Sequence, residues 1–387
     1  MDENCIILLT DGLHPFVVGG MQKHSRLFAE YIAKCGIQVI IYHYLEQGDQ
    51  KSEGQIIEIF SKEARKNIQL RTFEYYDVDR LPGHYLRSQR RISRLYLDRL
   101  KTENCKPIMV YTKGFVGGEV IQHRSDLPFN APIAVKFHGM NMFQKQPNWK
   151  GEITKYTLRP TVRRIMNNAD VVFSYGGKIT DIISAQLSKP EKIIELPSGI
   201  EEDWLNEFVN LKTPQIRSFI FVGRKDPLKG LKEMYQAIAR IPENLNWKLQ
   251  IVGPFDPMDQ LEHSKIEYIG EVRDAEKLKE LYDDNDVLLC PSISEGMPNV
   301  IMEAMSRGLA IIATDVGATA SLVDSQNGSL IEPGNIDHLT DSMIQMIQLR
   351  EAELIEMRKR SIQRIAEKFT WEKIGLKFLE SIQYSIE

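Results

Sequence analysis

Residues 291–317 read PSISEGMPNVIMEAMSRGLAIIATDVG, and the fold follows from their pattern. The apolar run 287–290 precedes them, short and uninterrupted as a strand buried on both faces of a parallel sheet is. A small loop follows, then Pro298 at the place of a first helical residue, where its missing amide hydrogen costs nothing. Ile301, Met302, Ala304 and Met305 recur at helical spacing, and Gly308 marks the stop. The run 309–313 is the next strand. Strand, loop, helix, strand places the loop at the carboxyl end of a parallel strand, where open α/β sheets bind ligands.

The chemistry of this loop suits a phosphorylated ligand. The amides of Asn299 and Val300 fall in the first helical turn, unpaired and at the positive end of the helix dipole. Glu295 precedes the helix and Glu303 lies inside it. One carboxylate can face a ligand beside the loop while the other accepts hydrogen bonds from a ribose diol. Two isolated acids would read as solvated side chains near a helix start. Here Gly296, Met297, Pro298, the small Ala304 and Gly308 complete a larger pattern.

That pattern resembles the Glu-x7-Glu signature of retaining glycosyltransferases of the GT-B fold, in the large family four (glycosyl transferases group one). The likeness continues through GLAIIATDVGA, with Ala310 where a proline is frequent. It implies that Glu295 contacts the donor sugar and Glu303 the nucleotide ribose, with Gly296, Met297, Asn299 and Val300 also on the donor.

The 387 residues exceed a usual single core, so two domains are expected. No apolar run approaches the roughly 20 residues that span a membrane. The opening MDENCIILLTDG lacks the basic region of a signal peptide, and a cytoplasmic location is expected. Cys5, Cys35, Cys105 and Cys290 lie far apart and read as reduced thiols rather than a metal site. The net charge of −4 hides an asymmetry. Residues 1–200 hold 28 Lys and Arg against 21 Asp and Glu, net +7, and the remainder 21 against 32, net −11. The two halves therefore suit different partners.

Along the chain, strands are expected at 5–10, 38–44, 108–111, 133–137, 171–174 and 193–196, with short strands and turns over 55–76. A helix from 21 to 35 follows the pair Gly19 and Gly20, which lets backbone approach an anion or simply packs a tight turn. Lys23 and His24 read as a solvated helix face. Over 83–101, Arg87, Arg90, Arg91, Arg94, Arg99 and Lys101 interleave with apolar residues in helical rhythm. Such a helix fits an anionic membrane surface, an anionic acceptor, or an ordinary surface position. His138 closes the strand 133–137, and the FHGM string resembles the family's strand-end His-Gly, which implies a place near the donor sugar.

The second half opens with a strand at 219–222 and the string GRKDPLKG. Arg224 and Lys229 sit in its loop, and the family's Arg…Lys-Gly spacing implies that they neutralise a leaving nucleoside diphosphate. Further strands are expected at 249–253 and 266–270. Val272 lies where family members hold the base by main-chain groups. The stretch 337–368 reads as one long helix or two, and an amphipathic helix ends the chain.

The resemblance implies a GT-B architecture of two Rossmann-like doubly wound domains facing across a cleft. The units expected are 1–200 on the acceptor side, a linker 201–217, a donor domain 218–368 and a terminal helix 369–387 crossing back. The implied reaction moves a sugar from a UDP- or GDP-sugar to a saccharide or lipid-linked acceptor, with retention. No cofactor, no metal and no nucleic acid are expected, and residues 87–101 are the candidate membrane contact. The alternatives are a nucleotide-sugar epimerase or hydrolase on the same fold, or a non-catalytic sugar-nucleotide binding subunit.

Overall fold

The apolar runs become two parallel sheets. In a computed structural model, residues 5–17, 19–46, 53–75, 81, 83–146, 149–205 and 216–386 are described. The first sheet contains β1 (Cys5–Leu9), β2 (Gln38–Glu46), β3 (Ile68–Tyr75), β4 (Pro107–Lys113), β5 (Ile133–Lys136), β6 (Val171–Ser174) and β7 (Ile193–Glu195). The second contains β8 (Arg217–Val222), β9 (Trp247–Val252), β10 (Ile266–Gly270), β11 (Val287–Cys290), β12 (Ala310–Thr314) and β13 (Gly328–Ile331). Their orders are β3-β2-β1-β4-β5-β6-β7 and β10-β9-β8-β11-β12-β13. Every described pairing within them is parallel, for instance β1 with β2 and β4, and β11 with β8 and β12.

Strand order reverses at β1/β4 in one sheet and at β8/β11 in the other. Doubly wound sheets bind ligands outside the carboxyl ends of their strands at such switch points. Period-two alternation divides the side chains between the two faces. In β1, Cys5, Ile7 and Leu9 enter one core of the first domain, and Ile6 and Leu8 enter the other.

The chain's last helix, Trp371–Ile386, completes that second core rather than one in its own half. Trp371, Ile374, Phe378 and Ile382 are all buried there against Leu27, Phe28 and Ile32. The rings of Phe28 and Phe378 meet edge-on, 4.7 Å apart. The two chain crossings between the halves also pair with each other. Ile200 donates its amide to Phe369 O at 2.7 Å, and Trp371 donates to Ile200 O at 3.2 Å. Gly199 makes this approach possible, because a Cβ there would lie 2.8 Å from Trp371 N. Most of the linker expected over 201–217 (residues 206–215) lies outside the described residues.

Several elements differ from expectation. Pro298 does not begin the helix; it caps it in an extended conformation, and Asn299–Ser306 is helical. Of the two readings of 337–368, one long helix or two, the second holds: Ile336–Gln348 and Glu351–Lys368. The mixed stretch from residue 55 resolves into helical turns and the eight-residue β3. A further helix, Trp149–Asn168, carries Pro160 inside it, which is why its sequence gives so little warning of it.

Replacing Phe378 by Ala removes a fully buried ring and should cost about 3–5 kcal/mol in urea unfolding. A loss below about 1 kcal/mol would show that the terminal helix contributes little to the first domain's core.

Candidate active site

The loops that follow β1, β5, β8 and β11 converge on one cleft of about 700 Å³ between the two halves. Gly20, His138, Arg224, Lys229, Glu295, Gly296, Met297, Asn299 and Val300 all line it. These residues span most of the chain's length, and the two switch points bring them together.

The cleft walls are in direct contact at the loop after β11. A Cβ on Gly296 would stand 1.8 Å from His138 O, so no side chain fits there. Gln144 Nε2 donates to Glu295 O at 2.9 Å, and Ser294 Oγ to Asn141 Oδ1 at 2.9 Å. The loop that carries Glu295 is therefore held by the first domain as well as by its own.

Glu295 Oε1 accepts from Lys229 Nζ and from Ser292 Oγ, each at 2.7 Å. Burial opposes the charge on Lys229, but Glu295 and its neighbours outweigh this and hold the lysine's pKa above its ordinary value. Arg224 is exposed at the cleft, and its guanidinium has no partner among the described residues. The first-turn amides of Asn299 and Val300 lie on the same wall. Two cations and a helix N-terminus thus face one space, the arrangement that stabilises a developing phosphate charge.

Glu303 is placed differently from Glu295. It is 8% exposed and lies behind the cleft lining. Tyr282 donates its hydroxyl to it at 3.3 Å, and Lys23 Nζ reaches it at 3.5 Å from the first domain. Lys23 also pairs with Glu201 at 3.5 Å. Burial opposes the charge on Lys23, and the two carboxylates more than compensate, raising its pKa. Gly19 and Val272 do not line the cleft. Gly19 caps the first helix, and Val272 packs on the second domain's core.

Lys23 and His24 are not a solvated helix face. Lys23 bridges the domains, and His24 is buried. Both nitrogens of His24 meet an amine: Nδ1 lies 3.2 Å from Lys113 Nζ, and Nε2 lies 3.4 Å from Lys136 Nζ. A neutral imidazole offers one acceptor and one N–H. One of the two contacts therefore sets an N–H against an amine, which disfavours full charge on both lysines. Burial, then the neighbouring positive charges, push His24 well below its ordinary pKa. Burial likewise lowers Lys113 and Lys136 strongly. Sequence reasoning missed this cluster, since two lysines ending neighbouring strands look like ordinary strand-end charges.

The cluster lies beside His138, whose ring is 4.7 Å from that of His24. Burial, then Lys113 and Lys136, keep His138 well below the usual histidine range. Tyr175 is held protonated by burial and hydrogen-bonds His138 Nδ1. The hydroxyl can donate to Nδ1 or accept from it, according to the tautomer. Nε2 is shielded and has no partner among the described residues. His138 thus borders the cleft as a neutral imidazole whose Nε2 is shielded.

The buried lysines make stability pH-dependent. A lysine whose folded pKa falls below its unfolded value binds fewer protons in the folded state, so stability rises with pH in that interval. The wild type should therefore gain on Lys113→Met between pH 7 and 9, by up to about 1.4 kcal/mol per pH unit in urea unfolding. A difference independent of pH would mean that Lys113 stays charged in the fold.

Comparison with known proteins bears on the fold. Residues 216–349 match the family described as glycosyl transferases group 1. An uncharacterized glycosyltransferase of Methanocaldococcus jannaschii is 22% identical, with 99% of this chain and 98% of that protein covered. A capsular polysaccharide biosynthesis glycosyltransferase of Staphylococcus aureus is 24% identical over 50% of this chain and 57% of its own length. The crystal structure of sucrose-phosphate synthase from Thermosynechococcus elongatus superposes with a TM-score of 0.77 at 19% identity, covering 99% of both chains. Residues 216–349 are thus similar to the glycosyl transferases group 1 family, and the chain has the GT-B fold.

Proposed function

We propose that the chain transfers a sugar, with retention of anomeric configuration, from a UDP- or GDP-sugar to a hydroxyl of a saccharide or lipid-linked acceptor. The setting proposed is cytoplasmic synthesis of a cell-envelope polysaccharide or glycolipid. One observation carries the reading: Arg224, Lys229, Glu295, His138 and the first-turn amides of Asn299 and Val300 share a single cleft. The diphosphate sits on the cations and amides, and Glu295 and His138 hold the sugar. Glu303 takes the ribose, exchanging its contact with Lys23. The acceptor oxygen bonds to the anomeric carbon as the bond to the diphosphate breaks. The acceptor proton passes to the departing phosphate oxygen on the same face of the sugar. Arg224 and Lys229 neutralise the charge that develops there, so no metal is required.

Arg224→Ala and Lys229→Ala should each lower turnover by on the order of 10²- to 10³-fold. Glu303→Ala should weaken the free nucleoside diphosphate, through loss of a charged acceptor worth roughly 1.5–3 kcal/mol. Glu295→Ala should impair reaction of the sugar and leave that affinity nearly unchanged. Transfer should persist in EDTA. Near-wild-type rates for either cation variant at saturating donor, or chelator inactivation reversed by magnesium, would refute the charge assignment. Sugar released only to water would favour a hydrolase, and donor binding without turnover a binding subunit.

The same reading includes a reversible contact between the first domain and an anionic membrane. It is motivated by the helix His84–Leu100, which exposes Arg91, Leu95 and Arg99 beside the exposed Leu81 and Tyr85. Arg90 and Arg94 are engaged internally, on Glu119 at 2.8 and 3.0 Å. Each basic residue near such a surface contributes about 1 kcal/mol, released by salt. Equal flotation with anionic and neutral vesicles at low salt would end this part of the reading.

A further inference from the structure

The cleft does not end at His138. A cavity of about 510 Å³ continues from it into the first domain, sharing Tyr85, His138 and Asn141 with the cleft. Its walls include Phe115, Phe137 and Leu158. A second cavity of about 220 Å³ shares Gln89 and Phe115 with the first. It lies between the helices His84–Leu100 and Trp149–Asn168, which both contribute side chains to it.

The lining of this second cavity is cationic. Arg87, Arg90 and Arg164 face it against a single carboxylate, Glu119. Glu119 is almost wholly buried and is satisfied by Arg90 and by Arg94. Arg164 is exposed, and its guanidinium has no partner among the described residues. Thr161, three residues earlier on the same helix, also lines the cavity, so its hydroxyl and the guanidinium share a helix face. With Arg90 and Arg94 already on Glu119, the guanidinium of Arg164 leaves this small space with an excess of positive charge. Arginine presents its donors as a planar fork that matches phosphate and carboxylate oxygens.

We propose that this second cavity is an anion subsite of the acceptor. It takes a phosphate or carboxylate carried at the far end of an elongated saccharide. The saccharide body lies against the rings of Phe115 and Phe137, and the reacting hydroxyl reaches the cleft beside His138. This assignment rests on the transfer reading above and adds the acceptor's chemical class to it. Adjacency supports it, because each cavity shares wall residues with the next. Charge supports it as well, since the fixed excess lies at the end remote from the donor's own diphosphate seat.

The test is calorimetric titration of the full chain with inorganic pyrophosphate, in the wild type, Arg164→Gln and Arg224→Ala. Two classes of site are expected. Arg224→Ala removes the one in the cleft, and Arg164→Gln weakens the other by at least about tenfold, the scale of one lost charged hydrogen bond. Arg164→Gln should leave nucleotide-sugar binding and flotation on anionic vesicles unchanged. A single class of site that only Arg224→Ala removes would overturn the proposal. So would an Arg164→Gln variant that loses vesicle binding while keeping both pyrophosphate sites, since the cavity would then serve a lipid surface. An Arg164-dependent site in a chain that binds no nucleotide sugar would sink the transfer reading and the acceptor assignment together, leaving only the anion site.

Discussion

The contact between the Gly296 backbone and the His138 carbonyl sets the geometry of the whole cleft. It joins the loop after β11 to the loop after β5, so the donor and acceptor walls cannot be positioned independently. Any side chain at residue 296 would push them apart. Around this contact, Gln144 and Ser294 add hydrogen bonds in both directions across the boundary. Catalysis by positioned charge depends on such preorganisation, since donors displaced by even a fraction of an ångström lose much of their effect.

The site's charges are distributed with corresponding economy. Lys229 and Glu295 hold each other in place before any ligand arrives. Arg224 is left facing the cleft, and on the proposed reading it takes the diphosphate. On the first-domain side the lysines Lys113 and Lys136 are buried around His24, without a carboxylate partner among the described residues. His138 is kept neutral by its own burial and then by these lysines, whereas the other wall offers cations. Lys23 and Glu303 bridge the same boundary. On the proposed reading, a ribose on Glu303 displaces its contact with Lys23, which couples nucleotide binding to the contact between domains.

Much of this was legible in the sequence because it is local. Apolar runs bounded by glycine and proline gave most of the strands to within a few residues, and 171–174 and 266–270 without error. The positions of Arg224, Lys229, Glu295 and His138 followed from loops placed at strand ends. What escaped notice depends on tertiary packing. Pro298 could be placed next to a helix but not assigned to its cap rather than its first turn. Lys23 and His24 looked solvated because nothing near them in sequence reveals Glu303 or the strand-end lysines. The arginines of 87–101 looked like one uniform face, whereas Glu119 withdraws Arg90 and Arg94 from it. The helix Trp149–Asn168, with an internal proline, broke the rule that would have found it.

The central claim is that the second domain's cations and helix amides seat the diphosphate of a nucleotide sugar. Chemical denaturation against a panel of UDP- and GDP-sugars tests it most directly. At about 100 times its dissociation constant, the true donor should add roughly 2.7 kcal/mol to the wild type. The gain should collapse when Arg224 and Lys229 are both replaced by Ala. Equal stabilisation of that double variant, or no stabilisation of the wild type by any member of the panel, would contradict the account.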